Sequence, residues 1–323
     1  MGNGTATVND VQTSASAPDA AAIGGSSLRR RASSHIKEKL IEFALFLAAL
    51  SSVITTIAIV VILVEESVVL FRHVPIWDFI TGTEWTPLFD NPKYGILPLL
   101  MGTLVTSAIA LLVAVPMGTI LAMYLSEFAG FEAREIAKPF LELLAGVPTV
   151  VYGYFALLFV TPILQVLLPN LPGFNMLSAG LVMGIMIVPY VSSICEDAMR
   201  AVPMALREGS FAMGATRLQT SAKVVVPAAF SGIAAAYILG VSRAVGETMV
   251  LAIAAGNQPN FTLDPMEPAQ TITAYIVAVS LGDLPHGSIG YQTIFAAGLT
   301  LMLMTLGFNI AGHWLRRKYR EAY

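Results

Sequence analysis

Long apolar runs with little or no charge, each closed by charge, proline or glycine, recur along this chain from residue 43 to residue 315. About 20 apolar helical residues are needed to cross roughly 30 Å of hydrocarbon. Six runs meet that length: Phe43–Val64, Gly95–Ser126, two parts of the charge-free stretch Leu143–Cys195, Ala228–Ala255 and Tyr291–Leu315. The break within Leu143–Cys195 falls at Pro169-Asn170-Leu171-Pro172-Gly173, a cluster of turn-forming residues. The run from Gly95 is long enough to tilt or to kink at Pro116, and Pro148 and Pro189 are expected to kink their own spans. The pattern predicts an all-α polytopic membrane protein with six transmembrane helices. Its transmembrane domain covers residues 39–318, between a disordered cytoplasmic tail at 1–38 and a short cytoplasmic tail at 319–323.

Composition agrees with the pattern. Hydrophobic residues make up 56% of the chain and charged residues 12%, against about 25% charge in an ordinary soluble domain. The mean hydropathy is +0.73. The 26 glycines and 18 prolines suit membrane helices, where neighbouring helices re-satisfy freed backbone groups. Gly180-x-x-x-Gly184 offers a close-packing face, either inside the molecule or toward a partner chain.

Charge gives the orientation. Of the 18 lysines and arginines, all but Arg72, Lys93 and the intramembrane Arg243 fall on one side of a six-span topology. They lie before the first span, after the last, between the second and third spans, and in the loop between the fourth and fifth. The positive-inside rule makes that side cytoplasmic and puts both termini there. Arg29-Arg30-Arg31 reads as the topology anchor beside the first span rather than as a nucleic-acid patch. The tail before it, rich in Ala, Ser, Thr and Gly, is expected to be disordered and does not have the form of a secretory signal peptide.

The chemistry that is missing narrows the function. The single cysteine, Cys195, excludes an internal disulfide. His35, His73, His286 and His313 have no metal-ligand spacing, and no phosphate-binding Gly-x-x-x-x-Gly-Lys-Ser/Thr loop is present. The sequence therefore points to no catalytic residue, no metal and no cofactor; any ATP hydrolysis is expected on a separate chain.

Two segments carry candidate function. Within the fifth run, Ser242-Arg243-Ala244-Val245-Gly246-Glu247-Thr248 spaces Arg243 and Glu247 four residues apart, which puts them on one face if the helix is continuous. Fifteen residues beyond Ala228, Arg243 lies about 22 Å along the span, in its outer half. A bare arginine there is costly unless paired or wetted. The pair either closes on itself as a packing device or lines a polar pathway, with Ser242 and Thr248 adding hydroxyls. A guanidinium suits forked recognition of a tetrahedral oxyanion. A nearby carboxylate could accept the proton that phosphate retains at neutral pH and sulfate lacks.

The second segment is the cytoplasmic loop at about 196–227. Glu208-Gly209-Ser210, then Gly214, then Val224-Val225-Val226-Pro227, resembles the E-A-A-x-x-x-G coupling signature of ATP-binding-cassette importer permeases, in a small-residue variant. The stretch Glu196–Gly256, together with Gly102–Thr106, Ala114–Gly118, Leu125–Glu127 and Glu142–Gly153, is similar to the inner-membrane permeases of bacterial phosphate-uptake transporters. Gly246-Glu247-Thr248-Met249 resembles the PstC type among them.

That resemblance implies an importer permease fold with cytoplasmic coupling helices in the bacterial inner membrane. It also implies a homologous second permease subunit, two copies of a cytoplasmic ATPase, an external phosphate-binding protein and surrounding lipid, with no nucleic acid. On this reading Glu208, Gly209, Ser210, Gly214 and Pro227 couple to the ATPase, Gly214 through a close backbone approach. Arg243, Glu247, Ser242 and Thr248 lie on the substrate pathway. The outward loops near Glu65–Tyr94 and Asn257–Gly290, with Trp77, Trp85, Phe89 and Phe261, either receive the binding protein or sit in the aromatic belt. The rival functions are a permease for sulfate, molybdate or tungstate and an ion-coupled secondary transporter.

Overall fold

The computed structural model describes residues 32–282, 285 and 287–318. Residues 1–31 of the expected tail, residues 319–323, Asp283 and His286 lie outside the described residues. Met1–Ala58 and Ile59–Tyr323 are separate compact units. In the first, the described residues form one stretch of helix α1 (Ala32–Phe71), which begins inside the segment expected to be tail. Its large apolar side chains from Leu40 to Ile57 are exposed. The Thr55 and Thr56 hydroxyls donate to the Ser51 and Ser52 carbonyls, each at 2.9 Å. A helix in lipid needs this arrangement, because hydrocarbon offers its polar atoms no partner.

The second unit begins within α1 and continues with α2 (Ile76–Thr81) and α3 (Leu97–Met123), which a π-helical turn extends to Phe128. Next come α4 (Phe131–Gly146), α5 (Thr149–Phe155), a π turn at Ala156–Val160, and α6 (Thr161–Leu167). The central helix α7 (Met176–Arg200) leads to the short α8 (Met204–Ala212) and α9 (Arg217–Thr220). A π turn at Ser221–Val225 then joins α10 (Val226–Ala228). Last are α11 (Phe230–Val245), α12 (Met249–Ala254), α13 (Ile272–Ser280) and α14 (Ile289–Lys318). Among the described residues, Trp85 and Tyr94 form the one isolated β-bridge.

Five helical stretches are long and apolar enough to span: Glu38–Phe71, Leu97–Phe128, Thr149–Leu167, Met176–Arg200 and Ile289–Lys318. A sixth exists only as the bent pair Arg217–Ala228 and Phe230–Val245, which meet at 74°. The expected continuous span Ala228–Ala255 is therefore corrected to a broken one. α11 stops at Val245, Gly246-Glu247-Thr248 interrupts it, and a six-residue α12 follows. The Glu247 carboxylate accepts the Met249 and Val250 N–H groups at 3.2 and 3.5 Å. It thereby satisfies donors that only a restarted helix leaves open. The expected third span also starts later than Leu143, which belongs to the amphipathic α4. Pro148 precedes α5 and starts it rather than kinking it. Pro116 and Pro189 do lie inside α3 and α7.

α7 is the centre of the core. Met183, Ile187, Val191 and Cys195 are fully buried among Ala110 and Ala114 of α3, Ala236 and Ala244 of α11, and Leu251 of α12. The Gly180-x-x-x-Gly184 face packs inside the molecule. A Cβ on Gly180 would lie 2.7 Å from Ile109, and one on Gly184 would lie 2.8 Å from both the Ala110 carbonyl and Val113. Toward the expected outer end, the first N–H groups of α7 are met by a returning segment. Asn175, Met176 and Leu177 donate to the Ala254, Glu267 and Pro265 carbonyls. Gly256 makes that return at φ +103, a conformation natural to glycine. A second core cluster gathers Leu70, Phe79, Trp85, Leu99, Ile272 and Tyr275. Trp85 packs edge-on to both Phe79 and Tyr275, with ring centroids 6.1 and 5.1 Å away.

The same chemical change at two glycines separates close packing from simple tolerance. Gly184→Ala is expected to lose about 1–3 kcal/mol through overpacking. Gly307→Ala, where a Cβ meets nothing within 4 Å, is expected to be neutral or slightly stabilising. Thermal unfolding of the two purified variants in one detergent checks this. Equal melting temperatures would show that the α3–α7 contact is loose.

Candidate functional site

The connection from α7 to α11 holds the first candidate region. Arg207, in α8, makes a two-pronged pair with Glu127 at the end of α3: Nε to Oε2 at 3.2 Å and Nη2 to Oε1 at 2.9 Å. Its remaining donors reach the Val202 and Met199 carbonyls, and Ser126 Oγ donates to the same carboxylate at 2.8 Å. Both side chains are about nine-tenths buried, at 10% and 9% exposure. Such a fork is strong and geometrically specific, so α8 is fastened at once to α3 and to the end of α7. Beside it, Glu196 is fully buried and surrounded by Arg134 Nε at 3.3 Å, Lys138 Nζ at 2.9 Å and Arg200 at 3.8 Å. Arg134 also donates to the Leu125 and Ser126 carbonyls. The amphipathic α4 is thus tied to both α3 and α7. Between these ties opens a cleft of about 390 Å³ bordered by Glu127, Arg134, Arg200, Arg207, Phe211 and Arg217.

The residues expected to couple lie on the outer face of this knot. Glu208 and Gly209 are exposed, Ser210 Oγ bonds Thr220 Oγ1 at 2.8 Å, and Pro227 sits exposed in α10. Gly214 has φ +81, and a Cβ there would meet nothing within 4 Å. The turn needs its left-handed conformation; among the described residues no backbone approaches it closely. Met204, Phe211, Met213 and Leu218 are exposed around it. That apolar patch on a short, tightly anchored helix has the character of an interaction surface.

The second region is the break between α11 and α12. The sequence pairs Arg243 with Glu247; the structure separates them. α11 ends two residues after Arg243, and Glu247, buried at 8% exposure, turns to the backbone of α12. Thr273 Oγ1 donates to the Glu247 carbonyl at 2.6 Å and holds the turn. No described carboxylate lies within 4.0 Å of the Arg243 guanidinium. Instead its Cζ sits over the Tyr190 ring, 5.3 Å from the centroid, and its buried Nε has no hydrogen-bond partner. Ser242 faces away, donating to Asn309 on α14 at 3.3 Å, and Thr248 Oγ1 donates to the Gly246 carbonyl at 3.4 Å. Of the four residues expected on the pathway, the structure leaves Arg243 half-buried with no described carboxylate beside it, and makes Glu247 a helix cap.

Residues 114–321 match the family described as binding-protein-dependent transport system inner membrane component. The chain belongs to this permease family. It is 36% identical over 243 residues to the probable ABC transporter permease protein YqgH of Bacillus subtilis, covering 75% of this chain and 78% of that protein. It is 33% identical over 264 residues to the phosphate transport system permease protein PstC of Mesorhizobium japonicum, covering 75% and 79%. At 29% over 264 residues it matches the probable PstC of Methanocaldococcus jannaschii, covering 75% and 82%. A bacterial ABC transporter involved in import of the acidic polysaccharide alginate shares the fold. There the TM-score is 0.62 at 16% identity, covering 89% of this chain and 99% of that one. The molecule is a multi-pass membrane permease subunit with the importer fold.

The sequence offered Arg207 only as one of the basic residues of the loop between the fourth and fifth spans, and did not single out Tyr190. The Arg207–Glu127 contact joins residues 80 positions apart, and nothing in local spacing announces such a pair. Tyr190 carries no signal in an apolar run. The Arg207–Glu127 pair predicts a stability pattern of its own. Arg207→Met leaves a buried carboxylate without its cation and is expected to cost about 3–5 kcal/mol. Arg207→Met with Glu127→Leu is expected to recover most of that loss. Denaturant unfolding of the purified variants measures it; a double variant no better than the single would show that the pair is not what anchors α8.

Proposed function

We propose that this permease is one of two membrane subunits of an ATP-driven importer that moves inorganic phosphate across the cytoplasmic membrane. The observation that carries the reading is Arg243, a half-buried guanidinium at a break in the helical core that no described carboxylate neutralises. An uncompensated arginine at such depth attracts an anion, and its fork suits tetrahedral oxygens. Proteins bearing the name phosphate transport system permease are its relatives at 32–34% identity, which supports phosphate as that anion. Glu247 commits its Oε1 to α12, while no described residue bonds its second oxygen, and that oxygen would accept a hydrogen bond from the P–O–H of hydrogen phosphate. Ser242 and Thr248 border the same break.

ATP is hydrolysed on a separate cytoplasmic chain that receives α8 and the turn at Gly214, within the coupling loop at about 196–227. The excess of basic residues on that side supports cytoplasmic termini. A homologous permease completes the pathway, and an external phosphate-binding protein lands on the opposite face. Exposed Trp77, Phe89 and Phe261 there lie among Glu84, Asp90 and Asp264. Trp85, 2% exposed and packed against Tyr275, is withdrawn from that surface.

Two measurements test the reading. Gly214→Val forces a β-branched residue into a left-handed turn. The variant is expected to reach the membrane in normal amount yet lose most transport-coupled ATPase activity; wild-type coupling would refute the docking role. For the pathway, Arg243→Lys keeps the charge and loses the fork, so phosphate uptake is expected to fall at least about tenfold. Arg243→Gln with Glu247→Gln is expected to abolish uptake at normal membrane abundance, as judged with radiolabelled phosphate. Near-normal uptake by the double variant would leave both residues as structural only.

A further inference from the structure

We infer that Tyr190 is a positioning residue of the anion pathway: its ring holds the Arg243 guanidinium and leaves the N–H groups open to an oxyanion. The inference rests on the reading of Arg243 as the anion-handling group. An arginine among buried helices can be stabilised by a carboxylate or by the face of an aromatic ring. A carboxylate would occupy the forked N–H pair that an incoming anion must use. A ring face attracts the cation through its quadrupole and brings no lone pair to compete for those donors. The structure takes the second course. Cζ of Arg243 lies over the Tyr190 ring at 5.3 Å, and the buried Nε stands without an acceptor.

The surroundings keep competing acceptors away. Glu247, four residues on in sequence, is turned to the Met249 and Val250 amides. Glu196 is held by Arg134, Lys138 and Arg200. Tyr190 itself borders a groove of about 290 Å³ with Lys138, Glu142, Ser193, Glu196 and Asp197, and Arg243 is not among the residues lining that groove. The ring therefore touches both the open guanidinium and the acidic groove.

Backbone packing fixes the ring's place. α11 meets α7 where a Cβ built on Gly240 would lie 3.2 Å from Val191, the residue after Tyr190, and Arg243 follows Gly240 by less than a helical turn. The Tyr190 hydroxyl bonds no described residue, so the face and not the hydroxyl is the working part.

The test uses the assembled transporter in vesicles, with phosphate uptake measured at matched protein abundance for Tyr190→Phe, Tyr190→Trp, Tyr190→Leu, Arg243→Lys and Arg243→Lys with Tyr190→Leu. Phe and Trp keep a face and are expected to retain the wild-type KM. Leu keeps bulk without a face and is expected to raise KM about threefold to fivefold with kcat nearly unchanged, the scale of losing a cation–π contact to a partly exposed ring. Adding Tyr190→Leu to Arg243→Lys is expected to add much less than it does alone. Wild-type KM for Tyr190→Leu beside an impaired Arg243→Lys would overturn the role of Tyr190 and leave that of Arg243 standing. A normal Arg243→Lys would remove the anion-handling reading itself. Should Tyr190→Leu fail to accumulate, a raised KM in Tyr190→Phe or Tyr190→Trp would equally overturn the inference, and unchanged values in both would support it.

Discussion

The close approach of α3, α7 and α11 is the constraint on which the rest of the molecule depends. Water drives apolar helices together in soluble proteins, but between helices already in lipid that force is absent, and association relies on contact area. Small residues supply the area by letting backbones meet. Gly180 and Gly184 of α7 face α3, Gly118 of α3 faces Val191, and Gly240 of α11 faces the same valine from another side, with a built Cβ at 2.9 and 3.2 Å from Val191 in the last two cases. Val191 is fully buried between two glycine-lined helices. With three backbones drawn to one point, their ends, and the charges those ends carry, are placed with little freedom.

The charges divide into two kinds. Arg207, Glu127, Glu196, Arg134 and Lys138 are matched with opposite partners at 2.9–3.3 Å. They bind α4 and α8 to the ends of α3 and α7, so a displacement of α8 must be felt by the core helices or else break a buried fork. Arg243 is of the other kind. It is half-buried, rests on a ring, and its Nε has no hydrogen-bond partner. The paired charges fasten short helices to the core, whereas Arg243 is a cation with no described carboxylate beside it.

The broken span connects these regions. Had α11 continued through Gly246, Arg243 and Glu247 would have met on one face and neutralised each other. The interruption sends Glu247 into the cap of α12, where Thr273 Oγ1 holds its carbonyl at 2.6 Å. One carboxylate thus stabilises a short helix and, by being occupied, keeps a nearby arginine unpaired. The returning segment that carries Thr273 also supplies the carbonyls that cap α7. The break after α11 and the central helix therefore share a single support.

The all-helical membrane class, most span positions, the α7–α11 connection and the chemical character of Arg243 were determined by the sequence itself. These rest on hydropathy, charge counts and short motifs, which act along the chain and survive without knowledge of contacts. The tertiary structure alone decided that Gly180 and Gly184 face α3, that Pro148 begins a helix, that Trp85 is core, and that Gly214 serves a left-handed turn. It alone separated Arg243 from Glu247 and set the guanidinium over Tyr190. Residues four apart are neighbours only while a helix runs on, and whether it runs on at Gly246 depends on an amide cap and on Thr273, 26 residues further along. Spacing records what a helix would bring together; packing determines whether that helix continues.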